Sequence, residues 1–163
     1  MISSLNRDHR FEMPIEEWME YVDRIEKQAV NSGTDLVDLD TKHRFVGGIY
    51  IREVSILPNQ MIISNIHNTE HPFVVFEGDV TVRTHKGFQR IVGPYLGKTV
   101  PMTRRILHSD NGCRWATFHV MEKPDETVDE IMNRILLKRI NPLLSVTELA
   151  RIQEKILTTN LLK

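Results

Sequence analysis

Between Thr34 and Lys123 the chain is a succession of short β-type runs with turn residues at each join. That pattern restricts the segment to an all-β sandwich or barrel. Gly47-Gly48 precedes the run Ile49 to Leu57, and Pro58-Asn59 is a turn before Met61 to Ile66. Phe73 to Phe76 is closed by Glu77-Gly78-Asp79. Val80 to Thr84 alternates at period two, so one of its faces is buried and the other wet. His85-Lys86-Gly87 reads as a hairpin loop returning through Phe88 to Val92, since Gly supplies the positive φ such loops need. Gly93-Pro94 and Gly97-Lys98 are further turn signals, and Lys98 to Pro101, Arg105 to His108 and Arg114 to Met121 supply the last strands.

The flanks use a different period. In residues 1–33, Pro14 stands where a first helical turn tolerates it, and Ile15, Trp18, Met19, Val22, Ile25 and Ala29 share one helical face. Glu16, Glu17, Glu20 and Asp23 are expected on the early, solvated side, and Asn31-Ser32-Gly33 ends the helix. Residues 124–163 read as a helical hairpin. Thr127 and Glu130 have capping-box spacing before a face of Val128, Ile131, Met132, Ile135 and Leu136. Asn141-Pro142 breaks that helix, and Ser145 with Glu148 opens a second one carrying Val146, Leu149, Ile152, Ile156 and Leu157. The expected organisation is an N-terminal helical segment (1–33), a β-barrel (34–123) and a C-terminal helical hairpin (124–163).

Composition narrows the functional classes. With 163 residues, 40% hydrophobic and 26% charged, the chain suits a soluble globular protein. A formal net charge of -1 argues against a broad basic surface for duplex nucleic acid. The single cysteine, Cys113, excludes an internal disulfide and a Cys-rich zinc module, and it reads as inert. No apolar run approaches the ~20 residues that span a bilayer, and the polar start reads as no secretory signal, so the expected compartment is the cytoplasm.

Residues 59 to 78 read Asn59-x5-Asn65-x-His67-x3-His71-x6-Gly78. In spacing this resembles the first cupin motif, G-x5-H-x-H-x3-4-E-x6-G, with Asn59 at the first Gly, Asn65 at the first His, His67 at the second, His71 at the Glu, and Gly78 matching outright. Pro101-Met102-Thr103 resembles the P-x-G of the second motif. The histidine of that motif falls on Ile106, with His108 two residues further on and on the same face of a regular strand. The resemblance covers roughly residues 45 to 121 and extends to small cupin-like proteins of bacteriophages, which would put the protein in a host cytoplasm. It implies a mainly β fold, a cupin-type jelly-roll barrel carrying the N-terminal helix and the C-terminal hairpin.

The seven histidines bear on the chemistry, because neutral imidazoles from neighbouring strands can share one divalent ion. His67 and His71 would lie ~13 Å apart on a fully extended strand. They can meet only if Asn68-Thr69-Glu70 bends, as the resemblance implies. The expected metal set is His67, His71 and His108, holding one Zn, Fe, Ni or Mn. Asn65, Arg105 and His119 stand as second-layer or ligand-binding residues, with His119 read as a core or rim histidine before a fourth ligand. Arg104-Arg105 could grip a carboxylate or phosphate, but reads first as a solvated pair on the barrel rim. Lys138-Arg139 and Arg151 with Lys155 enrich the last helices in positive charge, which helix dipoles explain.

Two functional classes are compatible with these residues. One is a non-enzymatic cupin-like protein with a pocket for a small ligand or metal and terminal helices for assembly or a protein partner. The other is a metal-dependent cupin enzyme of dioxygenase, isomerase or decarboxylase type using His67, His71 and His108. A homodimer is expected in either case, because the appended helices offer extra apolar faces.

Overall fold

A computed structural model of the chain describes residues 8–32 and 39–137. The order of elements is α1 (Ile15–Asn31), β1 (Asp40–Val46), β2 (Ile49–Ile56), β3 (Gln60–Ile63), β4 (Ile66–His67), β5 (His71–Thr84), β6 (Gly87–Val92), β7 (Tyr95–Thr99), β8 (Ile106–Ser109), β9 (Cys113–Val120), α2 (Val128–Ile135) and β10 (Leu136–Leu137). The expected second helix of the C-terminal hairpin, with Arg151 and Lys155, and the pair Lys138-Arg139 lie outside the described residues.

The sheet folds over itself because β5 is long enough to serve both layers. Its first half, His71 to Val75, pairs with β7 and β9. Its second half, Asp79 to Thr84, pairs with β6 and β8. A register shift between Val75 and Glu77, with Gly78 at φ +84° just after it, carries the chain from one layer to the other. The sequence pattern predicts two strands here, ended by Glu77-Gly78-Asp79. The backbone instead bends without stopping, since glycine takes that φ freely. One layer is β1-β2-β9-β5 with β7, and the other is β6-β5-β8-β3. Strands distant in sequence are neighbours in both layers (β2 with β9, β3 with β8), as in the jelly roll that the motif implies. β1, which the sequence pattern leaves unassigned, pairs along its whole length with β2. Gly47 and Gly48, both at positive φ, make the two-residue turn between them.

Period-two alternation fills the space between the layers. β2 turns Tyr50, Arg52, Val54 and Ile56 inward, and β9 opposes them with His119, Thr117, Trp115 and Cys113. Phe73 stacks on Trp115 with centroids 4.2 Å apart and planes at 8°. Such a pair contributes ~0.5–1.5 kcal/mol beyond its buried area.

α1 lies against the β8 side of the barrel and buries Trp18, Met19 and Val22 as its apolar face predicts. Asp23 corrects the expectation of a solvated position. It is fully buried, 2.7 Å from the Arg104 guanidinium, which also reaches Glu26 at 2.8 Å. The Trp18 indole donates to the Arg104 carbonyl oxygen at 3.0 Å. Arg104 and Arg105 are therefore not a solvated rim pair: both are buried, Arg104 toward α1 and Arg105 toward the barrel interior. Docking α1 fixes the backbone that aims Arg105.

α2 begins with the expected capping box, in which the Thr127 hydroxyl accepts from the Glu130 amide while the Glu130 carboxylate accepts from the Thr127 amide. It ends earlier than expected. Leu136 is strand and pairs with His67 across β10 and β4, and the Asn68 amide donates to the Ile135 carbonyl oxygen at 2.7 Å. Arg134 ties the helix to the end of β9 through the Val120 carbonyl oxygen and to Glu126 at 2.9 Å. None of the helices in the described residues is long and apolar enough to cross a membrane.

Candidate functional site

The inward row at one end of the barrel is aromatic and basic. His71 on β5 lies beside His119 on β9, with ring centroids 4.3 Å apart, and His67 on β4 lies 5.0 Å from His71. Tyr50 continues the row at 6.0 Å from His119, and its hydroxyl meets His43 Nδ1 at 2.7 Å. Asn68-Thr69-Glu70 turns the chain between β4 and β5. His67 and His71 thus meet as the resemblance implied, although a straight strand would hold them apart. Met102, at φ +66°, and Thr103 clamp His67 from the other side through the His67 amide and carbonyl.

His108 does not join them. On β8 and the residue before it, the inward positions are Arg105, Leu107 and Ser109, all buried. His108 faces the other way, opposite Met61 and Thr81, with 45% of its side chain exposed and Nδ1 3.4 Å from the Asp110 carboxylate. The physical reason is strand parity: Ile106 and His108 share the outer face because Leu107 is inside. Asn65 is exposed at the rim of the cavity. Arg105 lines the cavity, donates to the Thr99 hydroxyl at 2.7 Å and lies over the rings of Phe73 and Trp115 at 5.4 and 5.7 Å. His119 is buried in the row, as the core reading had it. Cys113 is buried too, its thiol pushed up to about 11 by burial and the Asp79 charge, which suits its inert reading.

The electrostatics set the protonation of the row. Burial, reinforced by the Arg105 charge, lowers His67 to about 3. Burial also lowers His71 to about 4, against a hydrogen bond from its Nδ1 to the Thr69 carbonyl oxygen at 3.0 Å. Burial and the neighbouring His71 lower His119 to about 3. All three rings are neutral at pH 7. Because His71 Nδ1 carries the donated proton, its Nε2 presents a lone pair. Among the described residues that nitrogen and His67 Nδ1 are buried without hydrogen-bond partners.

The His67 and His119 rings open on a cavity of about 180 Å³ between the layers and beneath α2. Apolar walls come from Leu107, Trp115, Met132 and Ile135, while Arg52, Thr117, His67, His119 and Arg105 are among the polar groups of the lining. Arg52 is the residue that sequence reasoning missed. Its signal was present in the inward alternation Tyr50-x-Arg52-x-Val54-x-Ile56, where an arginine stands among core positions.

The metal implied by the resemblance fits this arrangement poorly. Among the described residues, no group of three or more His, Cys, Asp or Glu side chains is placed to hold an ion. The rings tilt by 57° and 48° to one another, and the charges of Arg52 and Arg105 bear on them. A dication would add to that positive field with no carboxylate among the described lining residues to offset it.

No family model matches the chain, and no curated protein matches it. Solved structures similar to it include an RmlC-like cupin family protein with a double-stranded β-helix fold from Methanocaldococcus jannaschii, at 6% identity and TM-score 0.45, covering 54% of this chain and 84% of that one. A second is the cupin-2 domain of an XRE family transcriptional regulator from Enterobacter cloacae, at 10% identity and TM-score 0.44, covering 52% and 98%. A third is a cupin 2 conserved barrel domain protein from Salinispora arenicola, at 9% identity and TM-score 0.43, covering 54% and 82%. Likeness of overall shape carries no ligand or reaction with it.

Proposed function

We propose that the protein is a non-catalytic, cupin-like binding barrel that holds one small molecule in the cavity beneath α2. The observation that carries this reading is the cavity itself. Its lining is mostly apolar with a small number of polar groups, the usual composition of a small-molecule site. At about 180 Å³ it is smaller than the roughly 300–1,000 Å³ of drug-sized pockets. It is comparable to the ~150 Å³ that accepts a benzene-sized guest. The occupant is therefore a compact molecule, on the order of one substituted ring. α2 and the β10–β4 pair serve as its roof, which gives the C-terminal segment a role in retention.

The test is a fragment set of small aromatic and branched aliphatic compounds screened by amide NMR. Binding is expected to move the resonances of Arg52, Thr117 and His119 together. Ile62→Trp, which fills the cavity from β3, is expected to abolish those shifts while the rest of the spectrum is kept. Shifts that survive Ile62→Trp, or a set in which no fragment moves the three amides, would overturn the proposal.

A further inference from the structure

Arg52 is a half-buried cation with no anion beside it among the described residues. It stands on β2 at an inward position, opposite Thr117 on β9, and lines the cavity. Among the described residues its guanidinium has neither a hydrogen bond nor an ion pair. The acidic neighbour in sequence, Glu53, points to the opposite face and is taken by Arg44 at 2.6 Å, with Arg114 at 3.8 Å. Burial pushes the Arg52 guanidinium below its ordinary value, opposed only by the Tyr50 phenol. The groups its charge reaches are His43, His67, His119 and Tyr50, none of them negative at pH 7. A cation drawn part of the way out of water gains from an anionic partner. Among the described residues none is supplied, and the cavity that Arg52 lines leaves room for an anion brought by a ligand.

From this placement we infer that the cavity takes a small organic monocarboxylate, its carboxylate on Arg52 and its apolar body against Leu107, Trp115 and Ile135. The inference rests on the binding-barrel reading and names the ligand class for the same site. Guanidinium suits the assignment because its planar fork matches two carboxylate oxygens. The cavity walls suit it because hydrocarbon makes up most of the lining, so a multiply charged anion would leave oxygens against it. The Thr117 hydroxyl, opposite Arg52, is held at 3.0 Å from His119 Nε2, and Arg105 adds positive potential from the residue before β8.

The test uses two pairs of near-isosteric probes, benzoate with benzamide and isobutyrate with isobutyramide, titrated into the full chain at pH 7 by calorimetry and amide NMR. At least one acid is expected to bind ten-fold or more tightly than its amide, with shifts at Arg52 and Thr117. Arg52→Gln is expected to remove that preference, leave the affinity for the amide within about two-fold, and keep the melting temperature. Equal affinity for acid and amide in the wild-type chain would overturn the carboxylate assignment while leaving the binding barrel standing. A preference that persists in Arg52→Gln would overturn the role of Arg52. If no probe of either pair binds, both the assignment and the binding-barrel reading fall. The wild-type comparison decides the assignment even if the variant does not fold.

Discussion

The His71 and His119 rings lie 4.3 Å apart, on two strands whose partners are distant in sequence. The β5–β9 register that opposes Phe73 to Thr117 and Val75 to Trp115 continues by one inward step to this pair. Both rings are kept neutral by burial, and His119 with His67 carries the row into the polar part of the cavity lining, beside Arg52.

That neutrality makes stability depend on pH in a defined direction. The unfolded His71 ring accepts a proton near its ordinary value of 6.5, whereas the folded ring resists it down to about 4. The stability it contributes is complete above 6.5 and is lost as pH falls toward 4. The loss is on the order of 3 kcal/mol for His71 alone. The coupled rings of His67 and His119 extend the window lower and do not simply add. Melting temperatures measured from pH 7.5 to 4 should fall steeply below 6.5. His71→Asn, which retains a donor for the Thr69 carbonyl oxygen, should flatten that fall. A melting temperature that holds steady over this range would contradict the buried neutral row.

The attachment of α1 should hinge on Arg104. Removing this guanidinium takes from the buried Asp23 the cation it holds at 2.7 Å. Breaking one side of a buried pair costs ~3–5 kcal/mol. Arg104→Met should lower the urea unfolding free energy by that amount, whereas Glu26→Gln, at the partly exposed partner, should cost far less. Similar losses in the two variants would mean that the Asp23 contact is not the one that holds the helix.

Met102 is a bulky residue in the left-handed region, at φ +66°. That conformation costs a non-glycine residue ~1–2 kcal/mol. Its side chain is 39% exposed, so little apolar burial is forfeited by its removal. Met102→Gly should raise the unfolding free energy by up to about 1 kcal/mol, after the greater freedom of glycine in the unfolded chain is counted. A destabilised variant would show that the methionine side chain contributes more packing than the turn costs.

The roof of the cavity depends on the cap of α2. Thr127→Ala deletes the hydroxyl that accepts from the Glu130 amide and should cost about 1 kcal/mol. Because α2 carries Met132 and Ile135 over the cavity, amide exchange at Ile131 and Ile135 should quicken in this variant. Unchanged exchange at both positions would mean that the helix is held by its apolar face and the Arg134 ties alone.

Periods and punctuation were legible in the order of residues alone. Alternation marked the strands, Gly47-Gly48 and His85-Lys86-Gly87 marked turns, and Thr127 with Glu130 marked the start of α2. These are local effects, governed by backbone sterics and by hydrogen bonds within a few residues. The motif spacing also selected His67, His71 and Gly78. Asn59, standing at its first glycine, takes φ +60°, a conformation asparagine tolerates. Which side of each strand faces in, and what lies opposite, depended on the packed sheet. A shift of one residue exchanges the faces of a whole strand. That parity put Leu107 inside and His108 outside, and brought His119 to the row. It also turned Arg104 and Arg105 to opposite sides, one to pair with Asp23 and the other to line the cavity. Arg52 became a site residue for the same reason: the alternation Tyr50-x-Arg52-x-Val54-x-Ile56 puts it on one face of a strand, and the pairing of β2 with β9 turns that face inward.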